Sequence, residues 1–471
     1  MVKFPLQKSP AALFALIFFS VFSIYAQDTK PTPAADIPKG KAPIIIIPGL
    51  TGSELVNSKN EEVVWFKPQR SKDDDLRLPI SPNLARNRDS LRPRDIIRKV
   101  EFLKFLPEIE IYQKLADSLV ERGGYTEGNW ENPSVKGYED TFYVFAYDWR
   151  RDNVENARLL IQKIDALKRK LKRPNLKFNV IAHSMGGLIA RYASMYGNVD
   201  LPAGKPKPNW AGARYFSKVF LLGTPNEGSV DSLDAILNGF SIIGGGLNLP
   251  FVQNLSRFDV FTIPSIYQLL PHDKTLTAYD ENLKPITIDI YNPKTWDDYD
   301  WSIWKDADFS KKFDAVEQKN AKAYFLAALS RAKRFQEALD ANTSAKPTVS
   351  IYLIGGDCKE TLDSIVILRD EKKNRWRTLF KADSFERANK EKVTSEELKK
   401  LIYAMGDGVV TKRSLAAETL SASGANKTIL PITSSIFICE GHTKLVTSTD
   451  SQDKLFALLL GAVATETKAQ K

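Results

Sequence analysis

Cysteine is nearly absent: 471 residues hold only Cys358 and Cys439. That excludes a disulfide-built scaffold and any zinc site made of cysteine alone. The three histidines, His183, His272 and His442, leave little room for a histidine-rich metal centre, so neither a metal nor a cofactor is expected. They also shorten the search for a general base. No basic tract carries interleaved aromatics, and the 67 Lys and Arg are spread among 57 acidic residues. The formal charge of +10 therefore does not point to nucleic acid. There is no internal repeat, and beyond residue 26 no run is long and apolar enough to cross a bilayer. With 43% apolar and 26% charged residues, the chain is neither disordered nor a multi-span membrane protein.

What is there begins with Lys3 and Lys8 ahead of an apolar stretch, Ala11–Ala26, and a polar, Pro-containing segment over 27–40. A positive start, a short apolar run and a small residue at its end read as an export signal, residues 1–26. Ile24 fits poorly two residues before that cleavage point. The alternative is an uncleaved anchor, for which sixteen residues are short against about 30 Å of hydrocarbon. The mature protein is expected to be exported, and soluble or peripheral to a membrane.

Further on, short apolar runs alternate with amphipathic helices, the pattern of a parallel sheet covered on both faces. The runs are 43–47, 141–146, 178–182, 218–222, 349–354 and 434–438. Val154, Ala157, Leu160, Ile161, Ile164, Leu167 and Leu171 lie on one face of a helix that Pro174 stops. A second helix is expected over Met185–Tyr196, closed by Gly197. Two stretches break the alternation. Residues 57–106 are polar apart from a Val63-Val64-Trp65-Phe66 cluster. Residues 228–346 are too long for a plain connection and rich in aromatics, as a cap over the sheet would be. The fold class is α/β.

Between the run 178–182 and the second helix lies Ala182-His183-Ser184-Met185-Gly186-Gly187. A serine on such a strand-turn-helix is forced to project its hydroxyl from the sheet edge, and small residues must flank it two positions away on each side. Ala182 stands where glycine is usual. A plain helix-capping serine would need neither the strand before it nor the glycines after it. Serine needs a base, and the base an orienting carboxylate, in the chain order Ser, acid, His. His442 follows the last apolar run, where a sheet-edge loop can return over Ser184. His272 lies inside the aromatic insertion, and His183 points off the turn and is expected to be buried and hydrogen-bonded. Spacing leaves two acids open: Asp357, at once after a strand, and Asp407 between two glycines. The oxyanion needs two donors. One is the amide of Met185; the other is expected from Leu50, in the turn Pro48-Gly49-Leu50.

Together, PIIIIPGLTGSELV (43–56), YDWR (147–150), NVIAHSMGGLIARY (179–192), LLGTPNEGS (221–229), PSIYQLLP (264–271), GDGVV (406–410) and GHTKL (441–445) resemble the lecithin:cholesterol acyltransferase family, with its lysosomal phospholipase and phospholipid:diacylglycerol acyltransferase relatives. The resemblance implies an α/β-hydrolase core over residues 41–56, 107–229 and 347–471. It implies a lid or membrane-facing insertion over 57–106 and a cap over 230–346. Carried over by residue, Ser184 is the nucleophile, His442 the base, and Leu50 and Met185 the oxyanion donors; GDGVV selects Asp407 as the acid. Trp65 and Phe66 fall where the family inserts apolar side chains into lipid, against the alternative that they pack under their own loop. The family's animal members pin the lid with a disulfide, yet residues 57–106 contain no cysteine, so this lid is expected to be held otherwise or to be more mobile. Cys358 and Cys439 follow strands expected to be neighbours, and an exported chain permits a disulfide between them; two buried thiols are the alternative.

The expected activity is therefore that of an exported serine lipid acyltransferase or phospholipase, acting on a fatty-acyl ester through an acyl-enzyme. Its partners are a phospholipid or other acyl ester, a hydroxyl acceptor and a lipid surface, not nucleic acid. A neutral-glyceride or general ester lipase is the alternative enzyme. A catalytically idle lipid-binding protein is the alternative without chemistry, and it would need no serine, acid and histidine set.

Overall fold

The computed structural model describes residues 40–67, 75–100, 109–134, 138–240, 254–272, 276–342, 345, 347–370, 374–418 and 430–461. The expected export signal and all but the last residue of the segment after it lie outside the described residues.

Seven strands form one parallel sheet: β1 (Ile44–Ile47), β2 (Thr126–Glu127), β3 (Thr141–Val144), β4 (Phe178–His183), β5 (Phe216–Leu222), β6 (Ser350–Gly356) and β7 (Ile432–Ile438). Their spatial order is β7-β6-β5-β4-β1-β3-β2, and every pairing is parallel. β1 is an interior strand, with Ile45 opposite Tyr143 on one side and Val180 on the other. Both faces are covered, which is why the central strands read as unbroken apolar runs. Ile45, Ile47, Val180, Ala182 and Leu221 join one core, while Ile44, Ile46, Ile181, Phe220 and Leu222 join a second on the opposite face.

On the first face lie α1 (Asn153–Leu171) and α2 (Met185–Tyr196). Asp152 caps α1 by accepting the amide of Glu155 at 3.0 Å. All seven apolar residues of its stripe are buried, the Val, Leu and Ile side chains each contributing about 1.5–3 kcal/mol relative to exposure. The helix stops at Lys172, which turns left-handed (φ 55) two residues before Pro174. Leu115 and Leu119 of Gln113–Glu121, and Leu455, Phe456 and Leu459 of Thr449–Leu460, fill the second core.

Of the five smaller sheets among the described residues, the two largest have three and four strands. Ser53–Asn57 pairs antiparallel with Val63–Trp65 and with Leu91–Ile96. The YDWR motif ties this sheet down. Tyr147 N–H donates to Ser53 Oγ (3.1 Å) and Trp149 Nε1 to Ser53 O (3.2 Å). The buried Arg150 guanidinium bonds Asp148 and Asp89, each at 2.9 Å through Nη2. These contacts hold Ser53 and, within residues 57–106, Asp89 against the YDWR motif. The second sheet joins Pro285–Ile286 and Thr277–Tyr279 to Ser364–Asp370 and Arg375–Leu379. Its strands come from both sides of residue 347, so the insertion after β5 and the excursion after β6 are built together.

Trp65 does not form an exposed apolar tip. It is wholly buried, its ring 5.2 Å from Trp149 between centroids, and its Nε1–H donates to Thr51 O at 2.9 Å. Phe66 is half-buried and edge-on to Trp65. A three-residue strand beside Ser53–Asn57 turns Trp65 inward, and burying so large a ring outweighs presenting it to solvent. As a lipid-surface anchor, Trp65 is therefore corrected to a core residue.

Candidate active site

The turn between β4 and α2 holds Ser184 at φ 53 and ψ −127, a conformation costly for a residue with a Cβ. Its amide is tied to Leu222 O (2.8 Å) on β5, and Gly187 N–H returns to Ser184 O (2.9 Å). The tightness explains the small neighbours. A Cβ on Gly186 would lie 2.4 Å from Pro48 O and one on Gly49 2.9 Å from Ser184 Cβ. Ala182, fully buried between Ile47 and Leu221, is accommodated in the sheet where glycine is usual.

Ser184 Oγ lies 2.9 Å from His442 Nε2, and His442 Nδ1 lies 2.7 Å from Asp407 Oδ2. The other carboxylate oxygen of Asp407 accepts the amides of Val409 (3.0 Å) and Val410 (2.7 Å). An ionised carboxylate only accepts, so Nδ1 carries the proton and Nε2 faces the serine hydroxyl with its lone pair. Burial lowers the basicity of His442, but the charge and hydrogen bond of Asp407, with the charge of Asp231, outweigh it and hold the imidazole above its ordinary value of 6.5.

Asp407 reaches this place by a detour. After β6 the chain leaves the sheet, and Lys359–Leu362 pairs antiparallel with the returning Tyr403–Gly406. That hairpin sets Asp407 beside the end of β6, where its carbonyl accepts His442 N–H at 2.8 Å. Asp357 instead pairs with Lys412 Nζ at 2.9 Å, and His272 Nδ1 with Asp340 Oδ2 at 2.7 Å. Cys358 and Cys439 are joined in a disulfide across an 81-residue separation, with Cα atoms 5.1 Å apart. It links the ends of the neighbouring strands β6 and β7, three residues before His442.

Leu50, half-buried, sits in the turn after β1, whose Gly49 O accepts Gly52 N–H at 3.1 Å; Met185 is the first residue of α2. Two residues near the site, Tyr112 and Asp231, carried no motif. Tyr112 hydrogen-bonds both Gly49 N and His183 Nδ1, at 2.8 Å each. His183 is held down to about 3, by burial first and then by the charge of His442, and so stays neutral. Asp231, in the first turn of Val230–Asn238, is pushed up to about 7, by burial first and then by Asp234. Among the described residues no group of three or more His, Cys, Asp or Glu is placed to hold a metal ion.

The family model for lecithin:cholesterol acyltransferase matches residues 90–435, well over half of the chain. The chain belongs to the lecithin:cholesterol acyltransferase family. Among curated relatives it is similar to the Arabidopsis thaliana lecithin-cholesterol acyltransferase-like 4, 23% identical over 257 residues, covering 48% of this chain and 42% of that protein. It is also similar to the phospholipase A(1) LCAT3 of the same plant, 24% identical over 258 residues, covering 48% of this chain and 52% of that protein. The chain thus spans about half the length of the curated relatives it matches. Of solved structures, the Tle4–Tli4 complex is matched with a TM-score of 0.49 at 13% identity, over 90% of this chain and 98% of that one. The fold assignment rests on the family and on the sheet itself. A mainly parallel sheet with helices on both faces, a serine turn after β4 and a histidine loop after β7 is an α/β-hydrolase core.

Proposed function

We propose that the protein is an exported lipid acyltransferase or phospholipase that works through an acyl-enzyme on Ser184. The observation that carries this reading is the continuous hydrogen-bonded chain Ser184–His442–Asp407 at the open end of the sheet. In the reading, His442 Nε2 takes the hydroxyl proton as Ser184 Oγ attacks the acyl carbonyl. The amides of Met185 and Leu50 receive the oxyanion, and Asp407 stabilises the imidazolium. His442 then protonates the departing alcohol. Water or a second hydroxyl, activated by the same imidazole, clears the acyl group. The residues are the same for either acceptor; exclusion of water decides between them.

Family membership supports a fatty-acyl ester of a lipid as substrate, and the Cys358–Cys439 disulfide supports an oxidising, exported setting. Among the described residues no helix is long and apolar enough to cross a membrane. In this reading the substrate is met peripherally at a lipid surface. In this reading residues 230–346 serve as cap and 57–106 as lid.

The test is incubation of the purified protein with acyl-labelled phosphatidylcholine, with and without a sterol or diacylglycerol. Labelled free fatty acid identifies a phospholipase, and a labelled sterol ester or triacylglycerol an acyltransferase. Turnover of triacylglycerol with none of phosphatidylcholine would replace the reading by a neutral-glyceride lipase.

A further inference from the structure

Tyr112 is buried at the start of Gln113–Glu121, far in sequence from both the serine turn and the histidine loop. Its hydroxyl nevertheless links them. Gly49 N–H donates to Tyr112 Oη at 2.8 Å, Tyr112 Oη meets His183 Nδ1 at 2.8 Å, and His183 Nε2 meets the carbonyl oxygen of His442 at 3.1 Å. A carbonyl only accepts, so His183 Nε2 carries the ring proton. In the neutral ring Nδ1 then accepts, and Tyr112 must supply its own hydroxyl proton there while its oxygen receives Gly49 N–H. Each of the three bonds has one donor and one acceptor, with none left over.

The turn at one end of this bridge is fixed on its other side as well. Gly49 O accepts from Gly52 N–H (3.1 Å), and Tyr147 Oη donates to the adjoining Pro48 O (2.8 Å). In a planar trans peptide the Gly49 carbonyl and the Leu50 N–H point in opposite directions, so pinning one aims the other. The bridge ends on the backbone of His442, whose ring lies 4.9 Å from that of His183 between centroids.

We propose that Tyr112 and His183 are positioning residues: their bridge ties the Gly49–Leu50 turn to the backbone of His442, holding oxyanion donor and base in register across Ser184. This rests on the reading of Ser184 as nucleophile. Neither residue touches substrate. Tyr112 acts on the turn and His183 on the histidine loop.

The test uses Tyr112→Phe, which removes only the hydroxyl, His183→Leu, which breaks the bridge from its other end, and the double variant. Each is read by kcat and KM on p-nitrophenyl butyrate, by the rate of fluorophosphonate labelling of Ser184, and by thermal melting. Misplacing a donor by a fraction of an ångström predicts kcat lowered about ten- to a hundredfold with KM within about twofold in either single variant. The labelling rate falls in parallel. The double variant is no slower than the worse single, because both break one bridge. If only one single variant melts cooperatively, that one decides. A kcat within about twofold of wild type, multiplying losses in the double variant, or loss of cooperative melting in both singles would overturn the proposal. Failure of the wild-type protein to label at Ser184 would overturn the nucleophile assignment, and the bridge's role with it.

Discussion

Asp407 meets His442 twice: its Oδ2 lies 2.7 Å from the ring Nδ1, and its carbonyl accepts the same residue's amide at 2.8 Å. Side chain and backbone therefore fix both the orientation and the position of the imidazole. In Asp407→Asn the side-chain oxygen stays with the amides of Val409 and Val410, which leaves the NH2 group facing Nδ1. The ring is then driven to carry its proton on Nε2, where it cannot accept the serine's. We expect kcat on a soluble ester to fall by about four orders of magnitude. Asp357→Asn removes only a half-exposed pair with Lys412 and leaves kcat within about twofold. Equal losses in the two variants would displace Asp407 from the mechanism.

The Cys358–Cys439 bond closes a loop that contains Asp407 and ends three residues before His442. Closing a loop of that length removes chain entropy from the unfolded state worth about 4 kcal/mol. Cys358→Ser/Cys439→Ser is therefore expected to lower the melting temperature. Below that temperature it should also lower kcat more than KM, because the strand ends bearing the proposed acid and base are no longer stapled. Unchanged melting of the double variant against wild type would show that the packing of β6 on β7 suffices.

How much of this was legible in sequence differs from element to element. The six apolar runs are all strands of the sheet: burial on both faces leaves the central ones without polar alternation, while the edge strand β7 is only partly covered and shows by its apolar end. β2 was missed: two exposed residues, Thr126 and Glu127, carry no such pattern. The turn around Ser184 was legible because its steric demands are local. The acid was not legible from spacing, since about 50 residues of antiparallel excursion separate β6 from Asp407, and only the GDGVV resemblance singled it out. Tyr112 and Asp231 carry no local signal; tertiary packing alone brings them to the site. Trp65 read equally well as anchor or core, because an aromatic cluster in a polar stretch does not say which way its strand faces.

Asp231 gives the site a pH signature. His442 must be neutral to act as base, so kcat/KM should rise with pH through its free-enzyme value, which lies above 6.5. Negative charge on Asp231 favours the imidazolium. Asp231→Asn removes that charge, so the rising limb is expected to move to lower pH. Because Asp231 itself titrates near 7, the wild-type limb should be broader than a single ionisation, and the variant's limb sharper. A pH profile of kcat/KM on a soluble ester, between pH 4 and 9 for wild type and variant, reads both effects. A limb that stays in place or moves to higher pH would remove Asp231 from the electrostatics of His442.

Trp65 now predicts a stability defect rather than a membrane defect. Its strand pairs Trp65 with Leu55, its ring packs on Trp149, and its Nε1–H satisfies the carbonyl of Thr51, next to Leu50. Removing such a ring from a close-packed core costs about 3–5 kcal/mol. The loss of the hydrogen bond also leaves Thr51 O without this donor, in the turn that carries the proposed oxyanion amide. Trp65→Ala is therefore expected to lower the melting temperature, and to lower activity on liposomes and on a short soluble ester in the same proportion. Phe66→Ser, at a half-buried position, should cost less on both substrates. Measuring the two activities side by side, below the melting point of each variant, separates the two roles. Selective loss on liposomes with the soluble ester spared would return these residues to a lipid interface.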